Sequence, residues 1–326
     1  MVYLVYLMSK VYLWVPLILL MLLSPFVGIM DLDYSSLLKA NSLSQRIFLE
    51  LRLPRILLAF CVGGTLALAG LLFQTLFRNA LMTPFTLGVS GGAVLGAAIS
   101  IKLGLGLIIG ISAVSLFGFI GAVSTVILLI ILSKYLKKSG QESLLLIGIA
   151  LSFFYTSALM VIFYLSSFTE NATIMRFTMG SLSVVGYESI IPASIFSFIL
   201  LLILYLKRFE LQILAISDEQ ASLKGIDTKR LTYFFLIITS LSIGVLVSLT
   251  GPIGFIGLII PHMIKRIYQR PVSELIFPVF ILGGLFLLAC DTLARYLSTT
   301  SEIPIGVITA LIGGPFFIYL IISKQK

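Results

Sequence analysis

Ten apolar stretches, almost free of Asp, Glu, Lys and Arg, divide this 326-residue chain. A helix needs about 20 apolar residues to cross the hydrocarbon layer of a bilayer. Eight stretches approach or exceed that length: Val11 to Met30, Ile56 to Phe77, Leu105 to Leu132, Ser143 to Thr169, Ser189 to Leu206, Leu231 to Thr250, Leu275 to Asp291 and Pro304 to Ile322. Gly88 to Ile101 and Phe255 to Ile267 are shorter. The chain therefore reads as an all-α polytopic membrane protein with about ten transmembrane helices, in one domain spanning residues 1–326. Composition closes off the alternatives. Hydrophobic residues make up 59% of the chain and charged residues only 11%. A soluble domain carries about 25% charged residues, so this chain lacks the polar surface that water demands. Disorder needs low hydrophobicity and high charge, the reverse of what is found. The first stretch is longer than a secretory h-region and no A-x-A-like site follows it, so it reads as a retained helix.

The cations fix the orientation. Ten spans put both termini on one side. If that side is the cytoplasm, 15 of the 22 Lys and Arg face it, with six of the 13 acids. The formal +9 then lies wholly on the cytoplasmic face, as the positive-inside rule requires. The charge excess is no sign of nucleic acid. Cys61 and Cys290 both lie in apolar runs and read as small buried hydrophobes.

Function in carriers often shows as an ionisable group at membrane depth. No Asp, Glu, Lys or Arg sits mid-span here; Asp291 and His262 lie toward span ends. That disfavours a stand-alone ion-coupled carrier or a channel. One His and two Cys assemble no metal cluster, and no nucleophile–base signature for a hydrolase is evident. His262 reads as a hydrogen-bonded structural residue. No lysine follows a glycine, so the P-loop that cradles phosphates is missing. The chain reads as no enzyme, and ATP, if used, belongs to another polypeptide.

Small residues mark close helix contacts. Gly63, Gly64 and Gly70, and Gly88, Gly92 and Gly96 at four-residue spacing, allow close helix approach. The run Gly251-Pro252-Ile253-Gly254-Phe255 should break the seventh helix from the eighth, because Pro lacks a donor and Gly is permissive. The cytoplasmic loop of residues 207–230 carries Ser217 and Gln220 at capping-box spacing. Asp218 and Glu219 follow in the first turn, where the helix dipole favours anions. Gly225 is a suitable stop. A short helix of about two turns is expected, either lying in the headgroups or docking into a cytoplasmic partner. On the outer side, Arg52 and Arg55 flank Leu53-Pro54, and Arg295 sits near the end of the ninth span. They break the positive-inside trend. Lipid phosphates or the carboxylates of an extracytoplasmic partner would explain them.

Several ordered motifs carry a family resemblance. The run Arg52-Leu53-Pro54-Arg55 through Gly63-Gly64-Thr65 to Gln74, then Phe77-Arg78-Asn79-Ala80-Leu81-Met82-Thr83-Pro84, resembles the FecCD family of ABC-importer permeases. So do Gly251-Pro252-Ile253-Gly254-Phe255-Ile256-Gly257 with Pro261-His262, and Asp291-Thr292-Leu293-Ala294-Arg295 leading to Glu302-Ile303-Pro304-Ile305-Gly306. The likeness runs from about Arg46 to the end. It implies a BtuC-like, type II importer permease fold in the cytoplasmic (inner) cell membrane. It also implies import of an iron–siderophore, haem or cobalamin by alternating access. The implied partners are a second copy or close paralogue, two ATPase subunits holding ATP and Mg, an extracytoplasmic substrate-binding protein, and membrane lipid. No cofactor or metal is implied for this chain itself. By this likeness Asp218, Glu219, Ala221, Gly225 and Ile226 belong to an ATPase coupling helix. Arg52, Arg55 and Arg295 look like docking residues for the binding protein. Asn79, Leu81, Gln141 and Ser143 match a cytoplasmic gate region. Ala80 departs from the family's usual Pro there.

Overall fold

The helix through the second apolar stretch is the axle around which the others pack. In the computed structural model, which describes residues 19–28, 33, 42–108, 111–135, 141–298 and 302–323, α1 runs over Leu43–Leu76. It starts where the Ser42 hydroxyl accepts from the Gln45 amide at 3.1 Å. A π-helical turn over Ile47–Arg52 follows. Pro54 lies two residues past the end of that turn, and a widened turn gives its ring room against the preceding carbonyls. Along its most apolar part α1 is 83% buried, against 28% for α3 (Ala113–Tyr135). So α1 is surrounded by protein, and α3 leaves much of its surface uncovered by the described chain.

The remaining elements are α2 (Val89–Lys102), α4 (Gln141–Leu165), α5 (Phe168–Thr178), α6 (Ile190–Leu206), α7 (Arg208–Ile216) and α8 (Asp218–Leu223). Then come α9 (Thr228–Thr250), α10 (Ile256–Tyr268), α11 (Val272–Leu297) and α12 (Ile305–Ser323). Nine of the ten apolar stretches coincide with helices. Half of the first lies outside the described residues; of its described part, 19–28, residues 19–23 are α-helical. Among the described residues five helices are long and apolar enough to span a membrane alone, or six if α6 and α7, bent by 66°, count as one. α2 and α10 are the short pair that the sequence marked.

Four local expectations need correction. The fourth stretch was expected to be helical from Leu105. Instead Leu107–Ile108 and Ile111–Ser112 form a two-stranded antiparallel hairpin before α3, because glycines interrupt the apolar run and Gly104 takes φ +64°. The fifth was expected to reach Thr169. α4 stops at Leu165, and Ser167 and Glu170 form a reciprocal capping box that starts α5. α7 was not foreseen as a separate helix. Gly88 does not share a helix face with Gly92 and Gly96. It caps α2 at φ +77°.

Helices in lipid gain little from hydrophobicity, so packing and hydrogen bonds must hold them. α1 meets α11 and α10 through glycines. A Cβ at Gly63 would overlap the Gly283 carbonyl, and one at Gly70 would overlap the Gly257 carbonyl. The Gln74 side-chain amide donates to that same Gly257 carbonyl at 2.9 Å. Gly70→Ala should therefore cost about 1–3 kcal/mol through overpacking. Gly314, with open space around it, is the matched control for Ala substitution. Thermal midpoints in detergent decide the point; equal midpoints for the two variants would refute it.

Opposite ends of the bundle are now defined. Arg55 near the start of the axle meets Asp291 near the end of α11, while Gly63 abuts Gly283. The two helices are thus antiparallel. Past the other end of α1, Arg78 holds the Leu214 carbonyl of α7 at 3.0 Å, and Gln212 of α7 accepts from Ser273 of α11 at 2.6 Å. The stretch Leu53–Leu76 alone separates these ends by about 36 Å, at 1.5 Å per residue.

Candidate functional site

At the Arg55 end, the guanidinium groups of Arg55 and Arg295 converge on Asp291, Arg55 also holds Glu302, and Arg52 lies beside them. Asp291 is fully buried. Its Oδ1 accepts from Arg55 Nε at 2.9 Å and its Oδ2 from Arg295 Nε at 3.0 Å. Arg295 follows Asp291 by four residues, so both project from one face of α11. The remaining Arg295 donors reach the Ser24 and Val27 carbonyls, the Ser24 hydroxyl and the Thr292 hydroxyl. All five guanidinium N–H positions thus find acceptors inside the protein. Arg52 Nη1 donates to the Pro25 carbonyl at 2.8 Å. Arg55 Nη1 donates to Glu302 Oε1 at 2.7 Å, and Ser183 donates to the other Glu302 oxygen. Burial alone would push the Glu302 carboxyl up, but the hydrogen bonds from Arg55 and Ser183 outweigh it and hold the group below the ordinary glutamate range. Above this network lies a cavity of about 420 Å³, lined by Arg52, Arg55, Arg295, Ser183 and Glu302 among others.

A larger cavity of about 730 Å³ lies along the bundle. It is bounded by the start of α2, the middle of α4, the end of α5, the break before α10 and the start of α12. Among the described residues Ser90, Tyr155, Thr156 and Thr178 are its polar side chains, and no Asp, Glu, Lys, Arg or His lines it. Ser90 is 3% exposed, and its hydroxyl has no hydrogen-bond partner among the described residues. The break itself forms one wall. α9 ends at Thr250, Gly251 takes φ +69° and Phe255 φ +68°. A Cβ at Gly251 would overlap the Phe177 carbonyl, so only glycine fits there. Pro252, Gly254 and Phe255 face the cavity.

At the Arg78 end, α8 is capped at both ends. The Ser217 hydroxyl accepts from the Gln220 amide at 3.0 Å. Gly225 at φ +76° lets its own amide reach the Ser222 carbonyl, and the Ile226 amide reach the Ala221 carbonyl, both at 3.0 Å. These paired bonds make a Schellman stop. Ala221 is fully buried, whereas Leu223 is 87% exposed at the tip. Asp218 and Glu219 open the helix, as their position in the sequence suggested. In the loop after α1, Asn79 Oδ1 accepts from the Leu81 amide at 2.9 Å, and Leu81 is exposed. Gln141 and Ser143 lie in the first turn of α4; the Gln141 side chain falls outside the described residues.

Arginines 55 and 295 share Asp291, which unites two groups that the sequence could only place on the same side. Their acidic partners were missed as partners. Asp291 and Arg295 at i, i+4 were the available signal; Glu302 had none. The cavity lining from α4 and α5 was also missed, since the apolar pattern marks a span without marking which face is wet. Among the described residues no group of three or more His, Cys, Asp or Glu forms a metal site.

Residues 16–323 match the profile of the FecCD transport family. The chain belongs to this family. Among its relatives is the hemin transport system permease HmuU of Yersinia pestis, 32% identical over 97% of this chain and 95% of that one. Another is the cobalamin import permease BtuC of Halobacterium salinarum, 36% identical over 86% and 75%. A solved ABC transporter chain described as of metal-chelate type, in an inward-facing conformation, superposes with a TM-score of 0.82 at 28% identity, covering 94% of this chain and 97% of that one. This FecCD protein is therefore a multi-pass membrane permease of the ABC-importer type, with the BtuC-like helical fold.

Proposed function

We propose that this permease imports a metal chelate of the iron–siderophore, haem or cobalamin kind. The observation that carries the substrate class is the 730 Å³ cavity with its uncharged, largely apolar lining. A chelate buries its charge inside an organic shell and offers apolar faces to the wall. Hemin and cobalamin transport by the relatives named above supports the same class.

The chain works as one transmembrane permease domain in the inner cell membrane, with both termini cytoplasmic. It pairs with a second copy or a close paralogue, and the cavities of the two line the path. Two cytoplasmic ATPase subunits, holding ATP and magnesium, receive α8 with its exposed Leu223. An extracytoplasmic binding protein docks at the Arg55 end, where Arg52, Arg55 and Arg295 supply positive charge. Access alternates when the ATPases close and move α8. The Asn79–Leu81 loop and the start of α4 narrow the cytoplasmic side.

Proteoliposomes test this directly. Permease, ATPase and substrate-loaded binding protein together should accumulate ferric siderophore, haem or cobalamin only with ATP. Uptake by the permease alone, following an ion gradient, would overturn the proposal. Mass spectrometry of the ligand carried by the binding protein identifies the chelate.

A further inference from the structure

The three arginines at the outer end are not equally available to a partner. Arg295 spends every donor inside the protein, on Asp291, Thr292 and the Ser24–Val27 segment. Its side chain is 5% exposed. Asp291 is fully buried between two guanidiniums and has no route out. Arg52 is likewise buried and ties down the Pro25 carbonyl. Arg55 differs. One edge is fixed by Asp291, but its Nη1 is paired with Glu302, whose side chain is 41% exposed and borders the 420 Å³ outer cavity. Glu302 belongs to the short connection between α11 and α12, and among the described residues Ser183 is the one partner of its second oxygen.

We propose that Glu302 is a built-in stand-in for the partner's carboxylate: it occupies Arg55 in the free permease and yields that position to a Glu or Asp side chain of the docking binding protein. This rests on the docking role given above to the outer arginines. The charge at the cavity favours an incoming anion, since among the described residues Arg52, Arg55 and Arg295 line it and Glu302 is the one carboxylate that does. The exchange keeps Arg55 satisfied at every stage, so no buried cation is stranded. It also carries information inward. α12 starts three residues after Glu302, and the Gly306 amide is bonded to the Met179 carbonyl at 3.1 Å. Gly306 and Met179 both line the central cavity. Releasing Glu302 from Arg55 and Ser183 frees the segment that anchors this wall.

The test is the affinity of the binding protein for the full permease–ATPase complex in nanodiscs, measured by surface plasmon resonance. Arg55→Ala should weaken docking more than tenfold. Glu302→Gln should strengthen it about three- to tenfold, the scale of one charge-assisted hydrogen bond no longer competed for. Ser183→Ala keeps both charges, loosens only Glu302, and should strengthen docking about twofold on the same scale. If Arg55→Ala weakens docking while Glu302→Gln and Ser183→Ala leave it unchanged or weaker, the exchange is wrong and the docking role stands. Unchanged docking in Arg55→Ala overturns both. Thermal midpoints of each complex show whether a variant is folded; if Glu302→Gln is not, Ser183→Ala decides alone.

Discussion

Asp291→Ala should all but abolish recovery of folded permease. Its carboxylate is fully buried and accepts from Arg55 and Arg295 at about 3 Å each. Removing it leaves the buried Arg295 guanidinium with no carboxylate and Arg55 with Glu302 alone. Breaking a buried ion pair from one side costs about 3–5 kcal/mol, and here two pairs break together. That is a large share of a typical stability of about 5–15 kcal/mol. The expected result is loss of the monodisperse peak in detergent, or a thermal transition many degrees lower. The double variant Asp291→Ala with Arg295→Met should recover part of the loss, because one stranded cation is gone. If the double variant is as unstable as the sum of its parts, the coupling assigned to this pair is wrong.

Gly225→Pro should abolish ATP-driven uptake while leaving the bundle folded. Gly225 sits at φ +76°, and its amide closes the Schellman stop on the Ser222 carbonyl. Proline fixes φ near −65° and has no N–H, so both features go at once. The neighbours of Gly225 leave open space around it, so the damage stays local to α8. Reversing Asp218 and Glu219 to Lys should have the same effect, since it places cations at the positive end of the helix. The measurement is chelate uptake alongside ATPase rate in the reconstituted complex. Uptake at the native rate in Gly225→Pro would remove α8 from the coupling path. A fall in thermal stability equal to that of Asp291→Ala would show that the change acts on the fold instead.

The spans were legible because charge is costly in lipid and its absence runs for whole helices. The short α2 and α10 were legible for the same reason. The ends of helices were less so. Ser167 and Glu170 spell a capping box in the letters, yet the apolar run through Thr169 masks it. The bend between α6 and α7 has only Lys207 and Arg208 to mark it, and these equally mark a membrane exit. For the site, Ser217, Gly225 and the 251–254 break were readable because each is local: a cap, a stop and a helix breaker act within a few residues. The Arg55 network was not. Arg55 and Asp291 are 236 positions apart, and no local rule links them. Only folding brings Arg55 and Arg295 onto one carboxylate and spends the Arg295 donors inside the protein.

That separation has a consequence for how the protein is made. α1 emerges early, with its glycine faces and Arg55 in place, while α10 and α11 emerge near the end of synthesis. At roughly 5–20 residues per second, Arg55 waits about 10–50 s for Asp291. During that interval the glycine faces that α10 and α11 will cover have no such partner, and Arg55 lacks both Asp291 and Glu302. The ribosome thus builds this importer from the inside out in space but closes it last in time. A chain truncated before α10 would carry Arg55 without Asp291 and two uncovered glycine seams, one for α10 and one for α11.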